Sequence, residues 1–445
     1  MWRIGLLGGL LIAQEAAWLD SRKRLPAFEA ERKKAGWVWT AYPTTGYDPN
    51  RGLGAAIQAN VSYNGSACDS LFRCVPYRHF GSIQVGFFER EVWYGRLSYE
   101  WLWPKGRPYR LMIRTEARRD GQIQLWGIDA STLHYDLSRY TPDGRLNSYS
   151  RALKRPFLDS TGTLRTREAF HRVLMERFQF WLVGERLLMH GLLRLSMGLR
   201  YLYEGPGSLA YTPYRLSRDQ TALQAPTLYD SLANQPIPFP VSAPGARLFL
   251  GSALIWDTRD FEVDPHKGLL VEIAQEAALT RPIYKTSLDM RTYLPLYEKA
   301  GALPRITLAL HALWYGTYGQ NVPLWDLYYI NSWSEVRRLE GLSGPALLRG
   351  YRENRFIAPF GQIYQTELRF MLLEKNLFRQ NFIGGLVAFA DAGTGANSIL
   401  SWIYPWKANI GLGGRVLWNL QTILRADAAY SREGWQLIFT TRHVF

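Results

Sequence analysis

The stretch RLMIRTEAR, residues 110–118, decides how the rest of the chain is read. Leu111, Ile113, Thr115 and Ala117 fall on one face of an extended strand, and Arg110, Arg114, Glu116 and Arg118 fall on the other, because successive strand side chains point to opposite sides. One face suits lipid and the other suits water. Met112 is the single apolar residue on the charged face. The division returns in LLRLSMGLRYLY, where Leu193, Leu195, Met197, Leu199 and Tyr201 oppose Arg194, Ser196, Gly198 and Arg200. In KTSLDMRTYL it sets Lys285, Ser287, Asp289 and Arg291 against Thr286, Leu288, Met290 and Thr292. A two-sheet sandwich also alternates, but its strands run about 5 to 6 residues. These segments approach the ~9 to 11 residues of a tilted membrane strand. Aromatics gather at segment ends, in YEWLWP, LWYGTYG and SWIYPW, where interfacial girdles sit.

Composition agrees. Apolar residues make up 47% of the 445 and aromatics 14%, with 17 Trp and 26 Tyr, yet mean hydropathy is only -0.20 because arginines are interleaved. No run reaches the ~18 apolar residues of a transmembrane helix, which excludes a helical membrane protein. The net charge of +15, from 53 basic and 38 acidic residues, is spread through alternating segments rather than gathered in runs. That argues against nucleic acid and for a polar lumen or an anionic membrane surface such as lipopolysaccharide.

The opening MWRIGLLGGLLIAQEAAW is the one uninterrupted apolar run, and residues 1–17 read as a secretory signal peptide; the alternative is a buried N-terminal segment. Residues 18–50 are charged, lack full alternation and read as a short periplasmic leader, leaving 51–445 for a transmembrane β-barrel. The two cysteines, Cys68 and Cys74, are too few for a disulfide scaffold or a four-cysteine zinc site. In an exported chain they are candidates for one local disulfide; the alternative is two free thiols.

Sixteen alternating segments can be marked, beginning at 54–64, including 108–119, 122–129 and 168–183, and ending at 435–445. Short connections such as Asp120-Gly121 and Gly184-Glu185 alternate with long ones at 65–79, 130–167, 205–244, 318–358 and 392–404. Short periplasmic turns and long external loops produce this rhythm in outer-membrane barrels. The last segment places Leu437, Phe439, Thr441, His443 and Phe445 on one face. A terminal Phe closing such a strand resembles an outer-membrane assembly signal, with Phe439 and Phe445 as its aromatic positions and His443 as a departure.

Catalytic signatures are absent. The seven histidines are dispersed and never take H-E-x-x-H spacing, and there is no G-x-S-x-G elbow and no phosphate loop. Glu272 and Glu276 share a strand face and read as polar lumen residues. Nothing in the sequence asks for a cofactor or a metal. The constellation that stands out is SGPALLRGYRENR, residues 343–355, with QTELRF after it and FADAG one strand later. A cation in the loop then has Glu367 and Asp391 on adjacent strands.

At these residues the chain resembles the BamA/TamA outer-membrane barrel superfamily, also called the bacterial surface antigen family, whose barrels have sixteen strands. Arg349, Gly350 and Tyr351 look like the loop-six motif, and Glu367, Phe389, Asp391 and Gly393 like its neighbouring-strand motifs. DTRDFEVDPHKG, with Asp257, Arg259, Asp260, Pro265 and Gly268, is similar to the turn between the eighth and ninth strands; GLGGRVLWN and RADAAYS extend the match. The resemblance implies that Arg349 folds into the lumen and pairs with Glu367 and Asp391, with Arg369 on the same strand face. A guanidinium fork matches carboxylates bidentately, and Gly350 permits the tight turn at the tip. Arg352 and Arg355 have no assigned partners.

The resemblance also implies an all-β fold, one sixteen-stranded antiparallel barrel with loop six in its lumen, in the outer membrane of a Gram-negative bacterium. A leader this short has no room for the family's periplasmic POTRA domains, so the expectation is a POTRA-less member. Gly52 and Gly54 would loosen pairing at a seam between segments 54–64 and 435–445; the alternative for these glycines is a plain turn. The expected job is not enzymatic: a subunit of a protein insertion, translocation or lipid transport machine, working with separate periplasmic or outer-membrane partners. A docking subunit of a larger complex and a passive pore are the alternatives.

Overall fold

The computed structural model describes residues 19–20, 23, 33–48, 52–66, 71–72, 76–89, 92–134, 155–158, 164–167, 170–209, 227–299, 302–378, 380–400, 404–419 and 422–445. The signal-peptide stretch 1–17 and both cysteines, Cys68 and Cys74, lie outside the described residues. Sixteen strands pair antiparallel in one sheet, each with the next in the chain. They are β1 (Trp37–Asp48), β2 (Gly52–Tyr63), β3 (His79–Phe88), β4 (Val92–Leu102), β5 (Tyr109–Gln124), β6 (Arg172–Leu188), β7 (Leu193–Gly207) and β8 (Gly245–Asp257). There follow β9 (Gly268–Ala278), β10 (Ile283–Lys299), β11 (Ala302–Gly319), β12 (Phe360–Leu377), β13 (Gln380–Ala396), β14 (Lys407–Trp418), β15 (Thr422–Ser431) and β16 (Gly434–Thr441). No described helix is long and apolar enough to cross a membrane.

Alternation sorts the side chains as a membrane barrel requires. Leu195, Met197 and Leu199 of β7 are exposed on the outer face, while Arg194 and Arg200 on either side of them are buried in the lumen. Met112, the exception on the charged face of β5, is 2% exposed and packs inside with Trp181, Val183 and Trp333. It is apolar because that patch of lumen wall is covered by protein rather than water.

The count of sixteen is right, although two errors in the segments cancel. Trp37–Asp48, assigned to the periplasmic leader, is the first strand and pairs with β2 over its full length. Its alternation is diluted by Val38 and Tyr42, apolar yet buried on the inner face, and by Pro43, tolerated on a strand at the end of the sheet's order. Segments 108–119 and 122–129 are one strand, β5. Asp120-Gly121 reads as a hairpin turn but forms a bulge, where the register against β6 slips between Asp120 and Ile123. Asp120 accepts a hydrogen bond from the Gln122 amide at 2.8 Å and stays within the ladder. Gly184-Glu185 is likewise mid-strand; the chain reverses at Met189 and His190, both at positive φ.

The extra strand changes which end each connection occupies. Connection 64–78, grouped by length with the external loops, lies on the rim of the short turns, opposite connections 125–171, 208–244 and 320–359. Phe80, Tyr77, Leu71, Trp103 and Leu19 pack together at this turn rim. The seam lies between β1 and β16, the two ends of the sheet order, not between the 54–64 segment and β16. Gly54 serves packing there: a Cβ would sit 2.1 Å from the Phe88 ring.

The final strand is shorter than its alternation. Leu437 and Phe439 face outward, but β16 stops at Thr441. Arg442 takes φ 71° and the chain turns into the lumen, where Phe445 is buried beside Tyr293, Ala309 and Val444. Phe445 therefore does not end an outward strand face. Its ring stacks on His311 at 4.9 Å, and Arg369 donates to its carbonyl at 2.9 Å.

Candidate functional site

Connection 320–359, the sixth on the long-loop rim, fills much of the lumen. It descends as a hairpin of Tyr329–Ser332 and Arg337–Glu340, whose tip is bound by wall carboxylates. Glu272 on β9 accepts from the Trp333 amide at 2.7 Å and from the Ser332 and Ser334 hydroxyls. Two strand repeats along, Glu276 accepts from Asn331 at 3.0 Å and pairs with Arg200. Trp333 lies flat against β8 because residue 251 is Gly; any Cβ there would sit 1.8 Å from the indole. Asp326 at the start of the loop is held by Arg247 at 3.1 Å and Lys285 at 3.8 Å.

The loop then passes through RGY, 349–351. Arg349 is fully buried, with its Nε donating to Asp391 Oδ2 at 2.9 Å, Nη2 to Asp391 Oδ1 at 2.7 Å and Nη1 to Glu367 Oε1 at 2.6 Å. Its guanidinium lies 3.6 Å over the Phe389 ring, a cation–π stack in a desolvated site. Burial works against the charge, but Asp391 and Glu367 raise the Arg349 pKa above its ordinary value, so it stays protonated. Phe389 fits because β14 carries Gly411, where a Cβ would lie 2.3 Å from the ring. At Gly393 a Cβ would press on the Gln362 carbonyl at 3.0 Å.

Gly350 is needed for close approach rather than for turning. A Cβ there would lie 2.4 Å from Asn409 Cβ and 2.9 Å from Ser431 Cβ, so the loop backbone presses against β14 and β15. Ser431 Oγ donates to the Gly350 carbonyl at 2.7 Å. Tyr351 donates to the Ala408 carbonyl at 3.2 Å; burial, with Glu433 adding to it, pushes its phenol up to about 12 and keeps it a donor.

Several partners escape sequence reasoning. Asp427 on β15 binds Arg415 and lies 3.6 Å from Arg349 and 3.5 Å from Arg425. Arg415 reaches Glu367 at 3.4 Å, and Arg369 reaches it at 2.9 Å. Arg415 and Asp427 sit inside GLGGRVLWN and RADAAYS, at lumen-facing registers, and that parity was the available signal. The sequence offers no partner for Arg355. It is fully buried, paired to Glu433 at 2.9 Å in the β15–β16 turn, and lies over Trp126 and Phe356. Nothing local in the sequence pairs residues 78 positions apart.

The DTRD turn forms a second site at the opposite rim. Asp257 holds Arg259 through two bonds, at 3.0 and 3.1 Å, and also meets Lys23 at 2.8 Å and Arg194 at 3.3 Å. Asp260 accepts from the Phe261, His266 and Lys267 amides, which shapes the turn. Gly268 has φ 111°, and a Cβ would strike the Thr258 carbonyl at 2.4 Å.

Residues 15–78 match a domain of unknown function, DUF5982. No curated protein matches the chain. Among solved structures, the fold is similar to BamA from Haemophilus ducreyi lacking POTRA domains 1–3 (11% identity, 92% of this chain and 70% of that one, TM-score 0.48). It is also similar to CdiB from Acinetobacter baumannii (12% identity, 91% of this chain, TM-score 0.46), of which the match spans 59%. The Omp85 superfamily domain matches residues 196–422, half of the chain, and takes in β8 to β14 with the whole of loop six. The chain thus belongs to the Omp85 superfamily, and is a sixteen-stranded barrel of the Gram-negative outer membrane.

Proposed function

We propose that this barrel belongs to a machine that inserts or translocates protein, or moves lipid, across the outer membrane, together with separate protein partners, and that it is not an enzyme. The observation that carries the reading is loop six clamped inside the lumen, with Arg349 between Glu367 and Asp391. A passive pore gains nothing from a lumen occupied by a loop held through buried ion pairs. A barrel that must stay sealed while its wall is worked gains rigidity from it. Arg349, Gly350, Tyr351, Glu367 and Asp391 act as the lock, with Phe389 and Arg369 supporting it.

The test is photocrosslinking in native outer membrane from the two seam strands, at Ala41 on β1 and Leu437 on β16, followed by identification of what is trapped. A transient protein client or lipid supports the reading. A stoichiometric partner as the sole product, with unchanged physiology in Arg349→Ala, assigns the chain to a docking role. A large, steady conductance of the purified barrel would assign it to a pore.

A further inference from the structure

The two ends of the sheet meet across a cavity of about 1000 Å³, lined by Tyr42 and Pro43 of β1 and by Phe439, Thr440 and Thr441 of β16. Its lining changes character through the wall. Toward the lumen it is cationic: Arg96, Arg118, Arg415 and Arg425 stand against one carboxylate, Glu116. Toward the membrane it is apolar, with Leu372, Leu386, Val416 and Phe439 at its mouth, exposed by 40, 58, 37 and 69%.

The arginines are unequally satisfied. Glu116 holds Arg96 at 2.9 Å, Asp120 stands behind Arg118 at 2.5 Å, and Asp427 is bound by Arg415. Arg425 donates Nη2 to the Pro345 carbonyl, while its Nε has no hydrogen bond and lies 3.5 Å from the Asp427 carboxylate that Arg415 already occupies. Arg96 is the accessible one: its side chain is 37% exposed, with Nε on Glu116 and Nη1 on Gln84, and a partly exposed guanidinium lining a cavity is a ready donor to an anion.

The mouth lies near the turn rim. Val416 is two residues from the end of β14 and Phe439 two from the end of β16, while Leu386 is six from the start of β13. At ~3.3 Å per residue along strands tilted by about 45°, Val416 and Phe439 lie about 5 Å and Leu386 about 14 Å from the turn rim, within the nearer half of a ~30 Å hydrocarbon core. In outer-membrane barrels short turns face the periplasm, so the cavity opens to the periplasmic leaflet.

We propose that this seam cavity is a lateral site for a glycerophospholipid with an anionic headgroup. The phosphate turns inward to the Arg96 guanidinium, and an acyl chain leaves between Pro43 of β1 and Phe439 of β16 and lies over Ala426, Gly414 and Leu386 on the outer wall. Guanidinium forks match phosphate oxygens, and the apolar mouth lets the chain remain in lipid. A protein strand would use backbone pairing and has no need of the arginines. A lipid held at the seam is compatible with insertion, docking or pore roles alike, so the site does not depend on the transport reading.

The experiment is native mass spectrometry of the purified full chain, exchanged with phosphatidylglycerol or with phosphatidylcholine of the same acyl chains. One phosphatidylglycerol is expected to be retained, roughly tenfold in preference. Arg96→Gln should weaken that preference. Gly414→Leu, whose added Cβ meets nothing within 4 Å and which lines the cavity, should fill the groove that the acyl chain occupies and cut retention roughly tenfold at unchanged melting temperature. Equal retention of both lipids, or retention indifferent to both variants, overturns the proposal. So does a protein strand crosslinked from Phe439 while the purified chain retains no lipid. Because the readout is a lipid on purified protein, it can fail while client capture in membranes succeeds, and the reverse.

Discussion

Arg349→Ala removes the cation from between two buried carboxylates. Glu367 keeps Arg369 at 2.9 Å and Arg415 at 3.4 Å. Asp391 is left with amides, Asn409 at 2.8 Å and Gln365 at 3.2 Å, and among the described residues it has no other ion pair. Stranding one buried partner of a pair costs about 3–5 kcal/mol, and the cation–π contact with Phe389 is lost as well. That cost falls on the docked state of loop six, so the opened fraction should rise by roughly a hundredfold to a few thousandfold. Limited trypsin digestion in detergent reads it at the bonds after Arg352 and Arg355, provided opening and reclosing are fast relative to cleavage. Asp391→Asn removes the stranded charge. Combined with Arg349→Ala it should recover about 2 kcal/mol, roughly thirtyfold in cleavage rate. Wild-type cleavage in Arg349→Ala, or strictly additive effects in the double variant, would refute the argument that this ion pair holds the loop.

Gly350→Ala keeps every charge yet drives a methyl to within 2.4 Å of Asn409; overpacking of about 1–3 kcal/mol should open the same tryptic sites by roughly fivefold to a hundredfold. Trp333→Ala empties the pocket against Gly251 and should lower loop-six stability by about 3–5 kcal/mol, visible as a lower melting temperature with the far-UV strand signal intact. His443 supplies a pH test. Burial, with Arg369 adding to it, pushes its pKa down to about 4, so the fold holds the neutral ring, which donates Nε2–H to Asp264 at 2.8 Å. Burial opposes the charge of Asp264, yet His266, the His443 bond and Arg305 hold its pKa below the ordinary range, so it stays ionised through this window. A folded pKa below the ordinary value means stability is complete above about pH 6.5 and is lost as pH falls toward 4, by roughly 3 kcal/mol. Melting temperature should therefore fall over that window more steeply in wild type than in His443→Gln, and parallel curves would contradict it.

What the sequence determines by itself is what strand alternation can carry. Arg194 and Leu195, or Asp289 and Met290, declare opposite faces because a strand's period of two is local and lipid tolerates no mixed face. The spacing of Arg349, Glu367 and Asp391 put one cation within reach of two adjacent strands. What alternation cannot carry is where a strand stops or slips, since a bulge at Asp120 and a turn there share the same Asp-Gly. Nor can it show contacts made across the lumen. Arg355 meets Glu433, Gly350 makes room for Asn409, Trp333 rests on Gly251, and Phe445 turns inward to His311. Each pair is far apart in the chain, and only the closing of sixteen strands around loop six brings its members together. The tertiary structure alone therefore decided which lumen charges clamp the loop and where the wall leaves a cavity.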